Sequence, residues 1–313
     1  MDPVSKILKS FPCIVLDGAL ATELERRGCE INDALWSAKI LAEDPELIQK
    51  VHYDYFVSGA DCAITASYQA TIQGFIRKGF SVEESEALIR RSVIVAKKAR
   101  DDFWKDESNR MNRTKPFVAG SIGPYGAYLA DGSEYRGDYR ISEDELIEFH
   151  RPRIRLLLDE GVDLLACETI PSLIEAQAIV KLLEEFSEVS CWVSFSAKNG
   201  YEISDGTPIL ECAGYLETCG QVAAIGVNCT PPGYMKSLIG EIRKNSKKPV
   251  VVYPNSGEEY DARTKTWHGS SGGGSFGCCA EDWFKAGARL IGGCCRTRPE
   301  DIRAIASWAR NKP

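Results

Sequence analysis

The feature that most constrains this fold is a regular alternation of short apolar, β-branched runs with longer amphipathic stretches. The short runs are typical of buried strands, and the longer stretches carry apolar residues at helical spacing. Strands that alternate with helices along a chain predict a parallel sheet built from βα units. The runs with strand character are 13–18, 61–67, 117–123, 163–169, 191–196, 222–229, 249–255 and 289–295.

A helix is predicted after each of these strands. Two helices begin with a capping box, in which serine is followed by glutamate three residues later: Ser81 with Glu84, and Ser142 with Glu145. Eight strands, each followed by a helix, fit one (β/α)8 TIM barrel over residues 1–313 better than an open, doubly wound sheet. The predicted helices are 45–58, 81–104, 142–160, 172–186, 209–219, 233–245, 279–286 and 299–310.

Two irregular stretches follow predicted strands. The segment 124–139 is rich in glycine and tyrosine, and the segment 256–277 ends in a run of glycine and serine. Active-site loops of a barrel follow the strands, so both stretches are candidates for such loops. The composition of 269–277 is typical of a flexible loop.

The charge and the cysteine content narrow the class of protein. A net charge of −7 argues against a general nucleic-acid binder and against binding to an anionic membrane surface. The sequence contains neither a transmembrane-length apolar run nor a signal peptide, so a cytoplasmic protein is expected. In that compartment the 12 cysteines are expected to be free. Because there are only 3 histidines, a transition-metal site must depend on sulfur.

Polar residues lie where several predicted strands end. The carboxyl ends of barrel strands meet at one mouth, so these side chains are expected to converge there. Glu168 follows an apolar run, which favours a role in a site over a role as a helix cap, whereas both roles stay open for Asp17. The residues at strand ends are Asp17, Thr65, Ser67, Glu168, Thr169, Asn228, Cys229, Asn255, Cys294 and Cys295.

Two adjacent cysteines, Cys294 and Cys295, follow two glycines at the end of the last predicted strand. Cys229 ends the sixth strand, and only one strand separates the sixth from the eighth. Three cysteines on one ion leave the fourth position of a tetrahedral zinc site open, which is typical of catalytic zinc. A second pair, Cys278-Cys279, follows a glycine-rich loop rather than a strand and is a weaker candidate. Lone cysteines elsewhere are interpreted as buried apolar residues, and His52 and His150 as structural.

Seven segments lie at or near the ends of the predicted strands: DGALATEL (17–24), TASYQAT (65–71), YGAYLADGSEY (125–135), CETIP (167–171), GVNC (226–229), YPNSGE (253–258) and GGCCRT (292–297). Together they resemble the homocysteine S-methyltransferase family. The resemblance implies a (β/α)8 barrel with one zinc ion held by Cys229, Cys294 and Cys295. It implies that Asp17 and Glu168 hold the amino group of homocysteine. The backbone at Gly18 and Ala19, with Thr65, would then lie beside the carboxylate, and Asn228 is expected among the substrate-binding residues.

The activity that the resemblance implies is zinc-dependent methyl transfer from S-methylmethionine to the thiol of L-homocysteine, which gives methionine. S-adenosylmethionine is a further candidate donor. The alternatives are a selenocysteine methyltransferase, an enzyme that uses betaine or a folate, and a non-enzymatic zinc-binding or thiol redox-sensing barrel. Small molecules are the expected partners, and a monomer or small homo-oligomer is the expected state. Tyr125, Tyr128, Tyr135 and Trp36 are candidate aromatic walls for a cationic donor.

Overall fold

A computed structural model describes residues 2–30, 37–186, 188–257, 259–261, 266–268 and 276–310. Each predicted strand overlaps one strand of the structure, and every one of these strands except the fourth is shorter than predicted. A further antiparallel pair, β8 with β9, lies within the predicted irregular stretch 256–277. The strands are β1 Ile14–Val15, β2 Cys62–Ile64, β3 Phe117–Ile122, β4 Leu164–Ile170, β5 Cys191–Phe195, β6 Val222–Asn228, β7 Val250–Tyr253, β8 Glu259–Asp261, β9 Thr266–His268 and β10 Ala288–Ile291.

Within the described residues, eight parallel strands form one sheet in the order β1-β10-β7-β6-β5-β4-β3-β2. A parallel bridge between Leu16 and Cys62 brings its two edges together. The sheet is therefore a nearly closed (β/α)8 barrel, which confirms the predicted fold class. The same part of the chain contains no helix that is both long and apolar enough to cross a membrane.

Helices surround the barrel, and all eight predicted helices are present with small differences at their ends. Both predicted capping boxes are formed. Within the described residues, five shorter helices were not predicted: Pro3–Ile7, Leu20–Arg26, Ser37–Glu43, Ile72–Arg77 and Tyr125–Leu129. The helices are α1 Pro3–Ile7, α2 Leu20–Arg26, α3 Ser37–Glu43, α4 Pro45–Val57, α5 Ile72–Arg77, α6 Val82–Lys105, α7 Tyr125–Leu129, α8 Glu143–Asp159, α9 Leu173–Leu183, α10 Ile209–Glu217, α11 Met235–Asn245, α12 Phe276–Ala286 and α13 Pro299–Arg310.

The interior of the barrel is a packed apolar core. Val4 and Ile7 of α1 belong to this cluster, together with Phe117 and Leu164, the first residues of β3 and β4. Helix α1 therefore closes the end of the barrel where the strands begin. The opposite end, where the strands finish, is left for the site.

The seam between β1 and β2 depends on two carboxylates. Asp61 accepts a hydrogen bond from the Val15 N–H (2.9 Å), and Asp17 accepts one from the Ile64 N–H (2.8 Å). The buried Asp61 also pairs with Arg310, while the Arg113 guanidinium lies 3.9 Å away. A side chain thus completes the hydrogen bonding that a longer strand pair would supply from the backbone.

We expect Asp61→Asn to lower the free energy of unfolding by about 3 kcal/mol, because it removes the buried counter-charge of two partly buried arginines, Arg310 and Arg113. Urea unfolding followed by circular dichroism measures this change. Glu148→Gln removes an exposed carboxylate that pairs with Arg151 at 2.9 Å, and it should cost less than about 1 kcal/mol. Equal losses in the two variants would contradict a special role for the seam.

Candidate metal centre

Three cysteines meet at the carboxyl end of the barrel because β7 lies between β6 and β10. Cys229 directly follows β6, and its N–H donates to the carbonyl of Tyr253 (3.2 Å). The Cys294 N–H donates to the carbonyl of Pro254 (2.8 Å). Consecutive carbonyls at the end of one strand therefore fix the backbone of both cysteines.

The glycines before the cysteine pair allow a close approach of the backbone. The Gly293 N–H donates to the carbonyl of Asp17 (3.1 Å). A Cβ atom at Gly292 would lie 2.8 Å from that same oxygen, and one at Gly293 would lie 2.3 Å from Thr297 Oγ1. Thr297 in turn donates to the carbonyl of Cys294 (2.6 Å). Neither position has room for a side chain, so the two glycines bring the cysteines close to the end of β1.

The three sulfurs have the spacing of a metal site. Cys229 Sγ lies 3.6 Å from Cys295 Sγ, Cys294 Sγ lies 4.0 Å from Cys295 Sγ, and all three lie within 4.8 Å of one another. Tetrahedral zinc with Zn–S bonds of about 2.3 Å would hold its sulfurs about 3.8 Å apart. The donor set therefore fits a single tetrahedral ion with a fourth position left over.

The electrostatics of the three thiols also favour a cation. The pKa of the Cys294 thiol is raised well above its usual range, first by its hydrogen bonding with Cys229 and further by burial. Three crowded, buried thiols do not ionise readily on their own. A divalent ion reverses this, because binding it deprotonates its thiol ligands.

Unusual backbone conformations occur beside the sulfurs. Cys229 has a φ of 50° and Thr169 a φ of 59°, in the left-handed region that residues other than glycine rarely enter. Asn228 holds Thr169 there, since its Oδ1 accepts from the Thr169 N–H and its Nδ2 donates to Thr169 Oγ1, both at 2.7 Å. Ser194 also donates to Asn228 Oδ1 (2.8 Å). Backbone strain of this kind is concentrated at functional sites.

A cavity of about 810 Å³ opens onto the sulfurs. Its walls include all three cysteines and the predicted residues Asp17, Gly18, Ala19, Thr65 and Glu168. The structure therefore brings eight of the nine predicted site residues to one cavity. Asn228 is the exception: it is fully buried and is absent from the described lining. Its side-chain amide forms hydrogen bonds with Thr169 instead, and Thr169 itself lines the cavity.

Two buried carboxylates face this cavity. Burial raises the pKa of Glu168 to about 7, although hydrogen bonds from Ser121 and Tyr253 act in the opposite direction. Burial also raises the pKa of Asp17 well above its usual range, against the hydrogen bond from Ile64, and the charge of Glu168 adds to the rise. Two carboxylates that are costly to ionise in one cavity are typical of a site that binds a cation.

The remaining predicted contacts lie beside these carboxylates. Thr65 Oγ1 accepts a hydrogen bond from the Ser121 N–H (2.9 Å) and lies 2.7 Å from Ser67 Oγ. The Ala19 N–H makes a long hydrogen bond to Thr297 Oγ1 (3.3 Å). A Cβ atom at Gly18 would lie 2.9 Å from the ring of Tyr55, so only glycine fits at this position.

Among the described residues, Tyr135 is the one predicted aromatic wall that lines the cavity. Tyr135 lines the cavity, and its Oη lies 3.1 Å from Cys229 Sγ. Tyr125 and Tyr128 are not part of the described lining and pack instead against Phe149. Trp36 lies outside the described residues. Tyr68, which the prediction did not include, lines the cavity and is part of the motif at 65–71.

Sequence reasoning also missed a buried polar network behind the cavity. His150 Nε2 lies 2.9 Å from Glu175 Oε1, which also accepts from the Tyr125 N–H (2.6 Å). Arg153 donates to the carbonyl of Tyr68 (2.8 Å) and to the carbonyl of Gly123. The network holds the loops after β2 and β3 in place. His150 is thus structural, as predicted, and the helical spacing of His150 and Arg153 was the available signal.

The second cysteine pair lies apart from the metal centre. Cys278 and Cys279 lie in the first turn of α12, and Cys278 is exposed. Neither cysteine belongs to the described lining of the cavity. All 12 cysteines are free of disulfide bonds, as a sulfur-based metal site requires.

Comparisons with known proteins agree with this geometry. The family model for homocysteine S-methyltransferase matches residues 14–309. Homocysteine S-methyltransferase YbgG of Bacillus subtilis (strain 168) is 62% identical over 311 residues, which cover 99% of each chain. A selenocysteine methyltransferase of Astragalus bisulcatus is 48% identical, over 93% of this chain and 90% of its own length. The metallated homocysteine methyltransferase MmuM of Escherichia coli superposes with a TM-score of 0.88 at 45% identity, over 98% of this chain and 99% of that one. The chain is therefore an enzyme of the homocysteine S-methyltransferase family.

Proposed function

We propose that the enzyme transfers a methyl group from S-methylmethionine to the thiol of L-homocysteine, with one zinc ion held by Cys229, Cys294 and Cys295. The observation that carries the proposal is the three-sulfur cluster at the floor of a cavity with two buried carboxylates. Three soft thiolates favour zinc over hard cations. The metallated form of the E. coli relative adds support for a metal in this family.

Zinc, when bound, supplies a Lewis acid that keeps the substrate sulfur deprotonated at neutral pH. The side chains do the rest. Asp17 and Glu168 hold the ammonium group of homocysteine, and the backbone at Gly18 and Ala19, with Thr65, borders its carboxylate. Asn228 positions Thr169 and Cys229 rather than touching substrate. Tyr135 would donate a hydrogen bond to the Cys229 sulfur once that sulfur is a thiolate, and it limits the access of water to it.

The donor needs no general acid, because a sulfonium leaves as a neutral thioether. The task of the protein is to align the acceptor sulfur, the methyl carbon and the donor sulfur, which is catalysis by positioning. S-adenosylmethionine carries the same sulfonium and is a second candidate donor. The free cysteines support a reducing, cytoplasmic location, since thiols persist there. We propose a monomer or a small homo-oligomer.

A selenocysteine methyltransferase is the second candidate function, and the 48% identity with the Astragalus enzyme favours keeping it. The two acceptors differ only by one methylene and by selenium in place of sulfur. Discrimination on such small differences amounts to about 1–3 kcal/mol. Competition between the two acceptors at equal concentration, with product analysis, decides the preference.

The experiment that tests the proposal is a product assay with homocysteine and a panel of methyl donors. We expect methionine to form with S-methylmethionine and not with betaine. Dialysis against a chelator should remove more than 90% of the activity, roughly a tenfold loss, and added Zn²⁺ should restore it. Full activity in metal-free protein would refute the mechanism.

Cys229→Ser and Cys295→Ser should each lower the zinc content from about one ion per chain to less than about a tenth, because a hydroxyl is a poor ligand for zinc. Metal analysis after gel filtration measures the loss, and circular dichroism checks that the fold is retained. Cys278→Ser, in the cysteine pair outside the cavity, should keep its zinc. Retention of zinc in Cys229→Ser would argue against a three-sulfur site.

Glu168→Gln should raise the KM for homocysteine more than tenfold, because the ammonium loses a charged partner. The same variant should be more stable than the wild type by about 3 kcal/mol at pH 9 and by less than about 1 kcal/mol at pH 5. Burial raises the pKa of Glu168 from 4.5 to about 7, so its ionisation above pH 7 opposes folding.

Urea unfolding at the two pH values measures the stability, and initial rates measure the KM. Glu148→Gln is the matched surface control and should change neither quantity. A loss of stability at pH 9 in Glu168→Gln would show that this carboxylate serves the fold rather than the substrate.

A further inference from the structure

Three more carboxylates line the cavity. Glu25 and Glu30 are exposed, whereas Glu134 is partly buried, and neither the metal centre nor the acceptor site uses it. Glu134 lies in a 3₁₀ turn, Ser133–Tyr135, after β3, and it lines the same cavity as Cys229. Its Oε2 atom is buried and has no hydrogen-bond partner among the described residues. Its neighbour Tyr135 contacts the Cys229 sulfur, so Glu134 lies close to the reacting centre.

The backbone at Glu134 is fixed on two sides. Ser196 Oγ donates to its carbonyl (2.9 Å). On the other side, a Cβ atom at Gly126 would lie 2.5 Å from the Glu134 nitrogen, so helix α7 packs directly on this turn. Because this backbone is fixed, the Glu134 carboxylate stays at the wall of the cavity.

The nearest arginine does not neutralise this carboxylate. Arg136 directs its guanidinium to Asp138 (3.2 Å), to the carbonyl of Asp131 (3.3 Å) and to Ser133 Oγ (3.0 Å). Burial raises the pKa of Glu134 to about 7, which is consistent with a carboxylate that lacks a cation. A buried oxygen without a partner costs free energy unless a ligand supplies the missing donor.

We propose that Glu134 binds the α-ammonium group of the methyl donor and so selects donors that are amino acids. This inference rests on the proposed function, in which the donor is an amino-acid sulfonium. An ammonium group supplies the N–H donors that Oε2 lacks, whereas a sulfonium has none. Asp17 and Glu168 then bind the ammonium group of the acceptor and Glu134 binds that of the donor. The two amino acids therefore do not share a carboxylate.

The chemistry of the step also favours the ammonium over the sulfonium as the partner of Glu134. The sulfonium loses its positive charge as the methyl group moves to the acceptor sulfur. A carboxylate against the sulfonium would therefore stabilise the ground state more than the transition state and slow the reaction. The ammonium keeps its charge throughout, so its binding energy is retained in the transition state.

Glu134→Gln tests the inference in the zinc-loaded enzyme. We expect the KM for S-methylmethionine to rise at least tenfold, while the KM for homocysteine and the kcat change less than threefold. With dimethylsulfoniopropionate, a sulfonium donor without an ammonium group, the variant and the wild type should have the same kcat/KM. Glu148→Gln removes an exposed carboxylate that pairs with Arg151, and it should leave every constant unchanged.

Glu134→Asp should recover part of the affinity for the donor, and thermal unfolding and zinc content should match the wild type in both Glu134 variants. An unchanged KM for S-methylmethionine in Glu134→Gln would overturn the inference alone. A raised KM for homocysteine would overturn it as well, because Glu134 would then serve the acceptor. A wild type that uses no sulfonium donor would instead refute the proposed function, and this inference with it.

Discussion

The site depends on the position of one strand. Strand β7 lies between β6 and β10, and its last carbonyls receive hydrogen bonds from the chain just after both neighbours. Those two points of the chain carry Cys229 and Cys294, which are 65 positions apart in the sequence. Once the register of the three strands is set, the sulfurs have little freedom left. The fold therefore places the three sulfurs of the candidate metal centre close together, which would limit the cost of ordering them around an ion.

The metal centre is surrounded by groups that do not stabilise the fold on their own. Thr169 and Cys229 have left-handed backbone conformations, and Asp17 and Glu168 are buried carboxylates. Each of these features costs free energy in the free protein, and the packed barrel core offsets that cost. Within the proposed function, ligands recover part of it, because an ammonium satisfies the carboxylates and a cation satisfies the thiols.

Much of this arrangement could be predicted from the sequence. The eight-fold βα pattern depends on local periodicity, and capping boxes such as Ser81 with Glu84 mark helix starts without any tertiary information. The three cysteines and Glu168 could be found because residues at the carboxyl ends of barrel strands must converge. Short helices such as α1 could not be found in this way, since a five-residue helix owes its stability to packing against the barrel interior rather than to its own sequence.

Three residues that were predicted to face substrate have side chains that contact other parts of the protein instead. Asn228 ends a strand as Glu168 does, yet its amide turns back to fix the conformation of Thr169. Tyr125 and Tyr128 lie on the same loop as Tyr135, yet they pack on Phe149 instead of facing the cavity. Sequence position predicts which loop a residue belongs to, but not which way its side chain points.

The loop after β3 carries two adjacent side chains that line the cavity. Tyr135 reaches the Cys229 sulfur, and Glu134, the residue before it, faces the same cavity. Within the proposed mechanism, one rigid turn thus touches both the metal centre and the donor. Since methyl transfer requires the two sulfurs and the carbon in line, a shift of this turn by a fraction of an ångström would misalign them. The buried Glu175 accepts hydrogen bonds from the Tyr125 N–H before this turn and from the Tyr139 hydroxyl after it, and we expect these contacts to keep the turn rigid.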